Sequence, residues 1–267
     1  MNSVESQSVP LPPAILIRRN EFGQPIGPAL PDWKPPQRPE RVVLTGRSCR
    51  LEPLDADRHA DTLWKAWGSP DHDALWTYLP YGPFADAEAH REWIRQSARG
   101  TDPLFIAIVD PRSGQAVGWL SWMRITPEAG SIEIGHLMFS PALQRTTAAT
   151  EAIFLLIQEC FRLGYRRVEW KCDALNGPSR AAAQRLGFCY EGLFRQALIY
   201  KGRNRDTAWY SIVDQEWVAL EAAFRSWLSP LNFSIDGSQH KRLTSFVSAA
   251  KSSDRSATFL ESLPANP

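Results

Sequence analysis

The segment that most restricts the fold of this chain is the stretch from Thr147 to Leu163, which is apolar almost all round. A helix with apolar side chains on every face has to be buried, usually against a sheet. One predicted strand, Ser131–Phe139, comes just before this helix and another, Arg167–Asp173, comes just after it. A buried helix between two strands is typical of α/β proteins, and we expect that fold class here.

Other parts of the chain show the patterns of further strands and helices. Strands are predicted at Arg47–Leu54, Leu104–Val109, Ala116–Ile125, Gly192–Tyr200 and Thr207–Val213. Helices are predicted from Asp55 to Trp67, from Asp71 to Leu79, from Asp86 onwards, from Pro178 to Leu186 and from Gln215 to Trp227. Together with the central unit, this order predicts a single α/β domain over residues 41–228.

The two ends of the chain lack this patterning. Nine prolines fall before residue 40, and because proline forbids a helix and disfavours central strands, residues 1–40 are predicted to form an extended arm. Phe22 and Trp33 are its candidate anchors on the domain. Residues 229–267 are rich in serine and alanine and are predicted to form a weakly structured tail, with a short helix at Gln239–Ala250 as the less favoured alternative.

Charge and cysteine content exclude several classes of protein. A net charge of +1 and a sequence pI near 7.7 provide no basic footprint for nucleic acid. The four cysteines form no C-x-x-C pair and have neither zinc-site nor disulfide spacing. The N-terminal apolar run, Ala14–Ile17, is too short for a signal peptide or a membrane helix. We therefore expect a cytoplasmic protein without a metal, a nucleic-acid partner or a membrane partner.

The junction between the strand Ser131–Phe139 and the buried helix has the composition of an anion-binding loop. A helix start presents unpaired backbone N–H groups and the positive end of the helix dipole, which suit a pyrophosphate. The small residues at 147–150 allow an anion to approach the main chain. Hydroxyl donors and one positive charge are added by Arg145, Thr146, Thr147 and Thr150.

This junction resembles the acyl-CoA loop of the GNAT superfamily of N-acyltransferases. The family loop has glutamine or arginine, two residues, glycine, one residue, and then glycine or alanine. Gln144–Ala149 is similar to it, except that Thr147 stands where glycine is usual. A Cβ is acceptable there if the backbone is already helical. Three later segments resemble the RimJ/RimL-type branch: Val168–Ser179 with Asn-x-x-Ser, Arg185–Gly192 with Leu-Gly-Phe-x-x-Glu-Gly, and Asp206–Ser211. The whole resemblance spans about residues 41–220.

The resemblance implies the GNAT fold, a single domain with a mixed, mostly antiparallel sheet of about seven strands flanked by helices. It also implies acetyl-CoA, or another acyl-CoA, as co-substrate, and direct attack of a primary amine on the thioester. Asn176 is at the same time a good helix N-cap. The implied cofactor contacts are Leu137, Met138, Phe139, Gln144, Arg145, Thr146, Thr147, Ala148, Ala149, Thr150, Asn176 and Ser179.

The candidate catalytic residues are Glu133, His136 and Ser179. Glu133 and His136 are candidate bases, but they are three residues apart and point to opposite faces of an unbulged strand, so at most one should face the thioester. The alternatives are a solvated sheet residue or an ion pair with an arginine for Glu133, and a hydrogen-bonded, half-buried ring for His136. By resemblance, Ser179 donates the proton to the sulfur, since Ala183 occupies the position of the tyrosine that many family members use. Leu198 stands where some RimL-type members have an acidic residue, so the base stays unassigned.

The acceptor is expected to bind beside aromatic and basic side chains. The basic hairpin Arg195–Asp206 is interpreted as a solvated turn, with binding of a carboxylated acyl group, of the CoA phosphates or of an acidic acceptor as the alternative. A chain with 11 tryptophans buries most of them in its core. The candidate substrate contacts are Trp76, Tyr81, Trp119, Trp122 and Arg195.

The predicted function is N-acetyl transfer from acetyl-CoA to a primary amine, on a small molecule or on a protein N-terminus. Two alternatives remain open: the same fold with a bulkier or carboxylated acyl-CoA, such as succinyl-CoA, and a catalytically idle CoA-binding regulator. Cys172 is interpreted as a small core residue and not as a nucleophile, because no histidine is paired with it. Both a monomer and a homodimer are compatible with the sequence.

Overall fold

The computed structural model describes residues 18–257, with side chains described for residues 18–252. Its strands are β1 (Arg18–Arg19), β2 (Pro25–Ile26), β3 (Leu44–Thr45), β4 (Arg50–Pro53), β5 (Leu104–Val109), β6 (Ala116–Thr126), β7 (Ser131–Phe139), β8 (Arg167–Asp173), β9 (Cys189–Tyr200) and β10 (Arg203–Val213). Its α-helices are α1 (Ala56–Trp67), α2 (Ala87–Arg99), α3 (Thr147–Arg162), α4 (Gly177–Arg185), α5 (Asp214–Leu228) and α6 (Leu243–Ala257). Short 3-10 segments lie at Pro70–Trp76, Pro127–Ala129 and Pro230–Asn232.

Eight of the strands form one sheet with the order β3-β4-β5-β6-β7-β8-β10-β9. All neighbouring pairs are antiparallel except β7 and β8, which are parallel and are joined by α3. A parallel pair requires a crossover connection, and the buried helix predicted from the sequence supplies it. The predicted mixed, mostly antiparallel sheet in one domain is confirmed. It has eight strands instead of about seven because Leu44–Thr45 adds a short edge strand beside β4.

Side-chain caps explain where the first two helices begin. Asp55 accepts a hydrogen bond from the backbone N–H of Arg58 at 2.9 Å, and Asp86 accepts one from that of Ala89 at 2.8 Å. Each cap satisfies an N–H group that has no partner within the helix, which is why α1 and α2 start at the predicted positions. The other helix predicted in this part of the chain forms as the 3-10 segment Pro70–Trp76.

The sheet separates two layers of buried side chains. One layer lies between the sheet and α3, α4, α5 and α6. The other lies under α1 and α2 and is rich in tryptophan, with the rings of Trp67 and Trp119 at a centroid distance of 4.9 Å. On this second face, β8 carries charged side chains such as Glu169 and Lys171 instead of apolar ones. A polar surface therefore begins where the cover of α1 and α2 ends.

A buried carboxylate ties α3 to the chain that enters β4. Glu151 accepts hydrogen bonds from the backbone N–H groups of Arg47 at 2.9 Å and Ser48 at 2.5 Å. Gly46 passes so close that a Cβ there would lie 2.6 Å from the carboxyl carbon. The contact joins segments 104 residues apart and fixes the outer strands of the sheet to the central helix.

The weakly structured tail predicted for residues 229–267 is wrong for its middle part. Helix α6 packs against α5, and Leu243 and Val247 are only 2% and 5% exposed. Leu243, Phe246, Val247 and Ala250 recur at helical spacing and all belong to or contact the core. Serine and alanine dilute this apolar stripe, which is why the composition favoured disorder. Residues 258–267 lie outside the described part.

The predicted N-terminal arm is described from residue 18 onwards. There β1 and β2 form a small two-stranded hairpin, and residues 27–43 contain no helix. Trp33 packs beside Gly130, whereas Phe22 is 77% exposed, so one of the two predicted anchors contacts the domain. The boundary between residues 40 and 41 stays a prediction. Among the described residues, no helix is both long and apolar enough to cross a membrane.

Candidate active site

The two parallel strands at the centre of the sheet separate after their first three pairs. β7 and β8 pair from Ser131 with Arg167 to Glu133 with Glu169, and no pairing follows among the described residues. The backbone groups of Leu137–Phe139 that point away from β6 therefore lack a strand partner. A cleft of this kind suits an extended ligand whose amide groups replace the missing strand hydrogen bonds.

The turn that follows β7 is shaped for the start of α3. Arg145 has a left-handed backbone with a φ of 61°, and Thr146 caps the helix by accepting from the N–H of Ala149 at 3.2 Å. Thr147 is the first helical residue, so the Cβ that replaces the usual glycine causes no strain, as expected. The remaining N–H groups of the first turn have no partner within the helix and point out of its end.

Two of the predicted cofactor residues near this turn are held by other protein groups. The side-chain amide of Gln144 donates to the carbonyl oxygen of Phe139 at 3.0 Å. The hydroxyl of Thr150 is buried and accepts from both Nη atoms of Arg185 at 3.2 Å. Thr150 therefore faces α4, and the structure does not bring it together with the other hydroxyl residues of the loop.

The turn after β8 positions a serine hydroxyl. Asn176 caps α4 by accepting from the N–H of Ser179 at 3.1 Å. The hydroxyl oxygen of Ser179 accepts from the indole N–H of Trp170 at 3.0 Å, so its own proton is available for donation. Cys172 beside it is 5% exposed, and burial raises the pKa of its thiol, which supports its interpretation as a core residue.

Glu133 lies in a chain of ion pairs across the polar face of the sheet. Its Oε2 atom is 2.7 Å from Nη1 of Arg124 and 3.1 Å from Nζ of Lys171. Lys171 is also 2.6 Å from Glu169 and lies 3.7 Å from the ring centroid of Trp209. Because Glu133 is buried, removing either cation would leave a poorly compensated charge. The geometry thus supports the ion-paired alternative for Glu133, with a lysine as well as an arginine.

A β-bulge turns His136 to the same face as Glu133. The register of β6 and β7 shifts between Gly135 and Met138, and His136 has a φ of 51°. Ile134 belongs to the layer under α3, so Glu133 points the other way, towards the layer under α1 and α2 that His136 also contacts. The predicted opposite orientation of the two candidate bases does not hold, because it applied to an unbulged strand.

The ring of His136 is packed among aromatic side chains. It stacks on Tyr81 at a centroid distance of 5.5 Å, and its Nδ1 atom is 3.2 Å from the Tyr81 hydroxyl oxygen. Burial, helped by the positive charges of Arg124 and Arg205, lowers the pKa of His136 to about 4. The imidazole is therefore uncharged at neutral pH, and one of its ring nitrogens has a lone pair that can accept a proton.

Comparison with known proteins agrees with this geometry. Residues 49–189, more than half of the chain, match the family model of the acetyltransferase (GNAT) domain. The chain belongs to the GNAT acetyltransferase family. The predicted family, fold and enzyme class are thereby confirmed.

Relatives of this GNAT protein carry related names. It is 30% identical over 179 residues to the "uncharacterized N-acetyltransferase p20" of Bacillus licheniformis, with 65% of this chain and 94% of that protein covered. It is 28% identical over 173 residues to the "putative ribosomal N-acetyltransferase YdaF" of Bacillus subtilis, with 62% and 90% covered. Among solved structures, a GCN5-related N-acetyltransferase from Brucella melitensis is 46% identical, with a TM-score of 0.80 over 82% of this chain and 100% of that one.

Three of the predicted acceptor residues of the GNAT domain lie in one aromatic cluster. Trp76 and Trp119 are buried within it, with ring centroids 6.0 Å apart. Tyr81 packs on both rings and is partly exposed, and it is the member that touches His136. Of these three side chains, the two tryptophans are buried and only Tyr81 has exposed surface.

The other two predicted acceptor residues lie outside this cluster. Trp122 is buried on the opposite face of the sheet, where its indole N–H donates to the carbonyl oxygen of Leu156 on α3 at 3.4 Å. Residues three apart on a strand face opposite sides, so Trp119 and Trp122 cannot line the same site. The prediction of Trp122 as a substrate contact is wrong for this reason. Arg195 is exposed on β9.

The basic hairpin between β9 and β10 is docked at its tip. Nζ of Lys201 donates to the carbonyl oxygen of Trp76 at 2.7 Å, and Nη2 of Arg203 donates to that of Thr77 at 2.6 Å. Both residues stay exposed, as expected for a solvated turn, but their side chains also hold the tip of the hairpin against the 3-10 segment Pro70–Trp76 and the residue after it.

Sequence reasoning misses several groups of this site. Lys171 could have been recognised from the sequence, because a lysine in the middle of a predicted strand between two apolar residues is unusual. In the structure its neighbours are buried and its ammonium group pairs with Glu133. The hydroxyl of Tyr200 donates to Asp173 at 2.7 Å, which fixes the hairpin to the end of β8. No local sequence pattern predicts the contact between Tyr200 and Asp173, because it forms only when β9, β10 and β8 lie side by side.

Proposed function

We propose that this GNAT protein is an acetyl-CoA-dependent N-acetyltransferase that acetylates a primary amine by direct attack on the thioester. One observation carries the proposal: the capped helix start at Thr146 and the hydroxyl of Ser179 both lie where the diverging strands β7 and β8 end. The proposal includes a cytoplasmic location, which the four free cysteines support, and either a monomer or a homodimer.

The groups around the cleft fit an acyl-CoA. A pyrophosphate suits the first turn of α3, where Thr147 and Ala148 offer backbone N–H groups and Arg145 is exposed nearby. The amide groups of a pantetheine arm suit the free strand edge at Leu137–Phe139. Asn176 uses its Oδ1 atom for the helix cap and keeps its side-chain NH2 group for such an amide. The co-substrate supplies the activated thioester when bound.

Two side chains of the cleft are proposed to move protons. The amine nitrogen attacks the thioester carbonyl carbon, and the bond between that carbon and the sulfur breaks. With its Nδ1–H donating to Tyr81, His136 accepts the amine proton at Nε2. Ser179 donates its hydroxyl proton to the departing thiolate and regains a proton from solvent, to which His136 releases the proton taken from the amine. Glu133 acts as a positioning residue, because its ion pairs hold β6, β7 and β8 together beside His136.

The test is release of CoA thiol from acetyl-CoA in the presence of a panel of small primary amines and short peptides. Ribosomal-protein N-terminal peptides belong in the panel because one relative is named a putative ribosomal N-acetyltransferase. Amine-dependent release that Ser179→Ala lowers by about a hundredfold would support the proposal. Binding of acetyl-CoA without release for any acceptor would instead support the catalytically idle regulator.

A carboxylated acyl donor such as succinyl-CoA is the second candidate. The observation that favours it is a positive charge on the acceptor face, Arg205, which forms no ion pair with any described residue. Mass spectrometry of the CoA species that co-purify with the protein separates the two candidates. Recovery of acetyl-CoA alone would contradict the second one.

A further inference from the structure

One basic residue of the β9–β10 hairpin differs from the others in its surroundings. Lys201 and Arg203 bind backbone carbonyl oxygens of residues 76 and 77, and Arg195 is exposed on β9. Arg205 is half-buried, and no carboxylate of the described residues lies within ion-pair distance of it. A guanidinium that has lost part of its hydration without gaining an anion is an unusual feature in a folded protein.

Arg205 lies on the acceptor face of β10. Side chains alternate between the two faces along a strand. Tyr210 faces the layer under α3 to α6. Trp209 faces the other way and lies under Lys171. The β9–β10 register shifts between Arg205 and Thr207, so alternation alone does not place Arg205. Thr207 has the same parity as Trp209, and the Nε atom of Arg205 donates to the Thr207 hydroxyl oxygen at 3.2 Å. The side chain of Arg205 therefore belongs to the polar face that carries Lys171 and the candidate base.

The positive charge of Arg205 acts on one group in each half of the proposed reaction centre. Its charge adds to the effects of burial and Arg124 that lower the pKa of His136. It also acts on the thiol of Cys172, where it opposes the larger effect of burial, which raises the pKa. Its electrostatic influence therefore extends to His136 and to Cys172, the neighbour of Ser179.

Neighbouring groups hold the guanidinium in one orientation. The ring of Tyr200 is 5.8 Å from the guanidinium carbon of Arg205, and the Tyr200 hydroxyl is fixed by Asp173. The bond from Nε to Thr207 leaves the two Nη groups without a described protein acceptor. Two adjacent N–H donors in a rigid, planar fork are the arrangement with which arginine binds a carboxylate.

We propose that Arg205 binds a carboxylate of the substrate next to the transferred acyl group. This inference rests on the proposed acyl-CoA function and narrows it to substrates that carry a carboxylate. That carboxylate has two sources, the far end of a dicarboxylic acyl chain such as succinyl, or the carboxylate of an amino-acid acceptor. The CoA phosphates are a separate case, because the helix start that suits them is at Thr146.

The experiment compares Arg205→Gln and Arg205→Lys with a matched control, Arg112→Gln. Arg112 lies on the turn between β5 and β6 with its side chain 89% exposed, so the control removes the same charge away from the cleft. The first measurement is calorimetric binding of acetyl-CoA and succinyl-CoA, which requires no turnover. If the acyl chain supplies the carboxylate, Arg205→Gln weakens succinyl-CoA binding roughly ten- to hundredfold and changes acetyl-CoA binding less than twofold. Arg205→Lys keeps the charge without the fork and gives an intermediate loss.

The second measurement compares free amino acids with their carboxamides as acceptors. Binding is measured in the presence of CoA, and turnover is measured with acetyl-CoA. If the acceptor supplies the carboxylate, Arg205→Gln raises the Kd and the KM of the free amino acids roughly ten- to hundredfold and leaves those of the amides within about twofold. The control variant behaves as the unaltered protein in both measurements.

Two results would overturn the proposal. One is equal weakening of neutral and carboxylated ligands by Arg205→Gln, together with a lower melting temperature, which would make Arg205 a structural residue. The other is no change for any ligand. If the unaltered protein releases no CoA with any acceptor, the transferase function fails, while the two binding measurements still decide whether Arg205 recognises a carboxylate.

Discussion

The cofactor side and the acceptor side of the cleft are built in different ways. On the cofactor side, the groups suited to ligand binding are mostly backbone atoms of Leu137–Phe139 and of the helix start at Thr146, which are close in sequence. On the acceptor side, they are side chains from distant segments: Tyr81 meets His136 across 55 positions, and Lys201 reaches the 3-10 segment across 125. Backbone groups tolerate a change of side chain, whereas the acceptor side depends on every residue that forms it.

Ser179 is the exception on the cofactor side, because there a single side chain is proposed to supply the proton. Ser179→Ala should lower kcat by a hundredfold or more, about the contribution of a general acid, while the KM for acetyl-CoA changes less than about twofold. Steady-state CoA release measures both constants, and Ser179→Thr, which keeps the hydroxyl, should recover part of the rate. An unchanged kcat in the alanine variant would show that Ser179 is not the general acid.

His136 provides the corresponding test on the acceptor side. His136→Gln should lower kcat by roughly a hundredfold if the imidazole is the base. The folded-state pKa is lowered from 6.5 to about 4, so the neutral, active form persists as pH falls through 6.5 and is lost only near pH 4. An NMR titration of the His136 ring between pH 4 and 8 should therefore show no protonation down to about pH 5. A midpoint near 6.5 would show that the ring is not buried.

The helix cap at Thr146 tests whether the cofactor side depends on its backbone. Thr146→Ala removes the acceptor for the N–H of Ala149 and should lower the free energy of unfolding by about 1 kcal/mol. The KM for acetyl-CoA should rise a few-fold because the first turn of α3 is less ordered, and the acceptor KM should not change. Thr146→Ser keeps the cap and should behave as the unaltered protein. Equal effects on both substrates would contradict the separation of the two sides.

The docked hairpin gives the smallest expected effect. Lys201→Met removes the hydrogen bond to the carbonyl oxygen of Trp76 and should raise the acceptor KM by about two- to threefold, since one partly exposed hydrogen bond is worth about 1 kcal/mol or less. The KM for acetyl-CoA should stay constant. Lys65→Met, an exposed lysine on α1, controls for the loss of charge. A change in the acetyl-CoA constant would mean that the hairpin also shapes the cofactor side.

The parts of the fold that were predictable have a local cause. The buried helix α3 is visible because its apolar residues cover every face, and Asp55 and Asp86 mark helix starts because a cap needs only residues three positions apart. Helix α6 was only the less favoured alternative, because its apolar stripe from Leu243 to Ala250 is short and is buried only against the surface of α5.

The candidate site divides in the same way. Asn176 was predicted as a helix cap from its residue type, and Ser179 was predicted by resemblance to the family's Asn-x-x-Ser segment; the two lie within one turn, where a local pattern can show them together. The orientation of His136 was not predictable, because one extra residue in β7 reverses the face of the strand and nothing in the local sequence marks the bulge.

The sequence by itself determined the family, the helix start suited to the cofactor and the serine at the end of β8, since each depends on residues near one another along the chain. Only the tertiary structure decided that Glu133 is bound by Lys171, that Trp122 lies in the layer under α3, and that no carboxylate of the described residues pairs with Arg205. The physical reason is that an ion pair depends on the distance between two charged side chains. Where these lie on different strands, that distance is set only when the sheet forms.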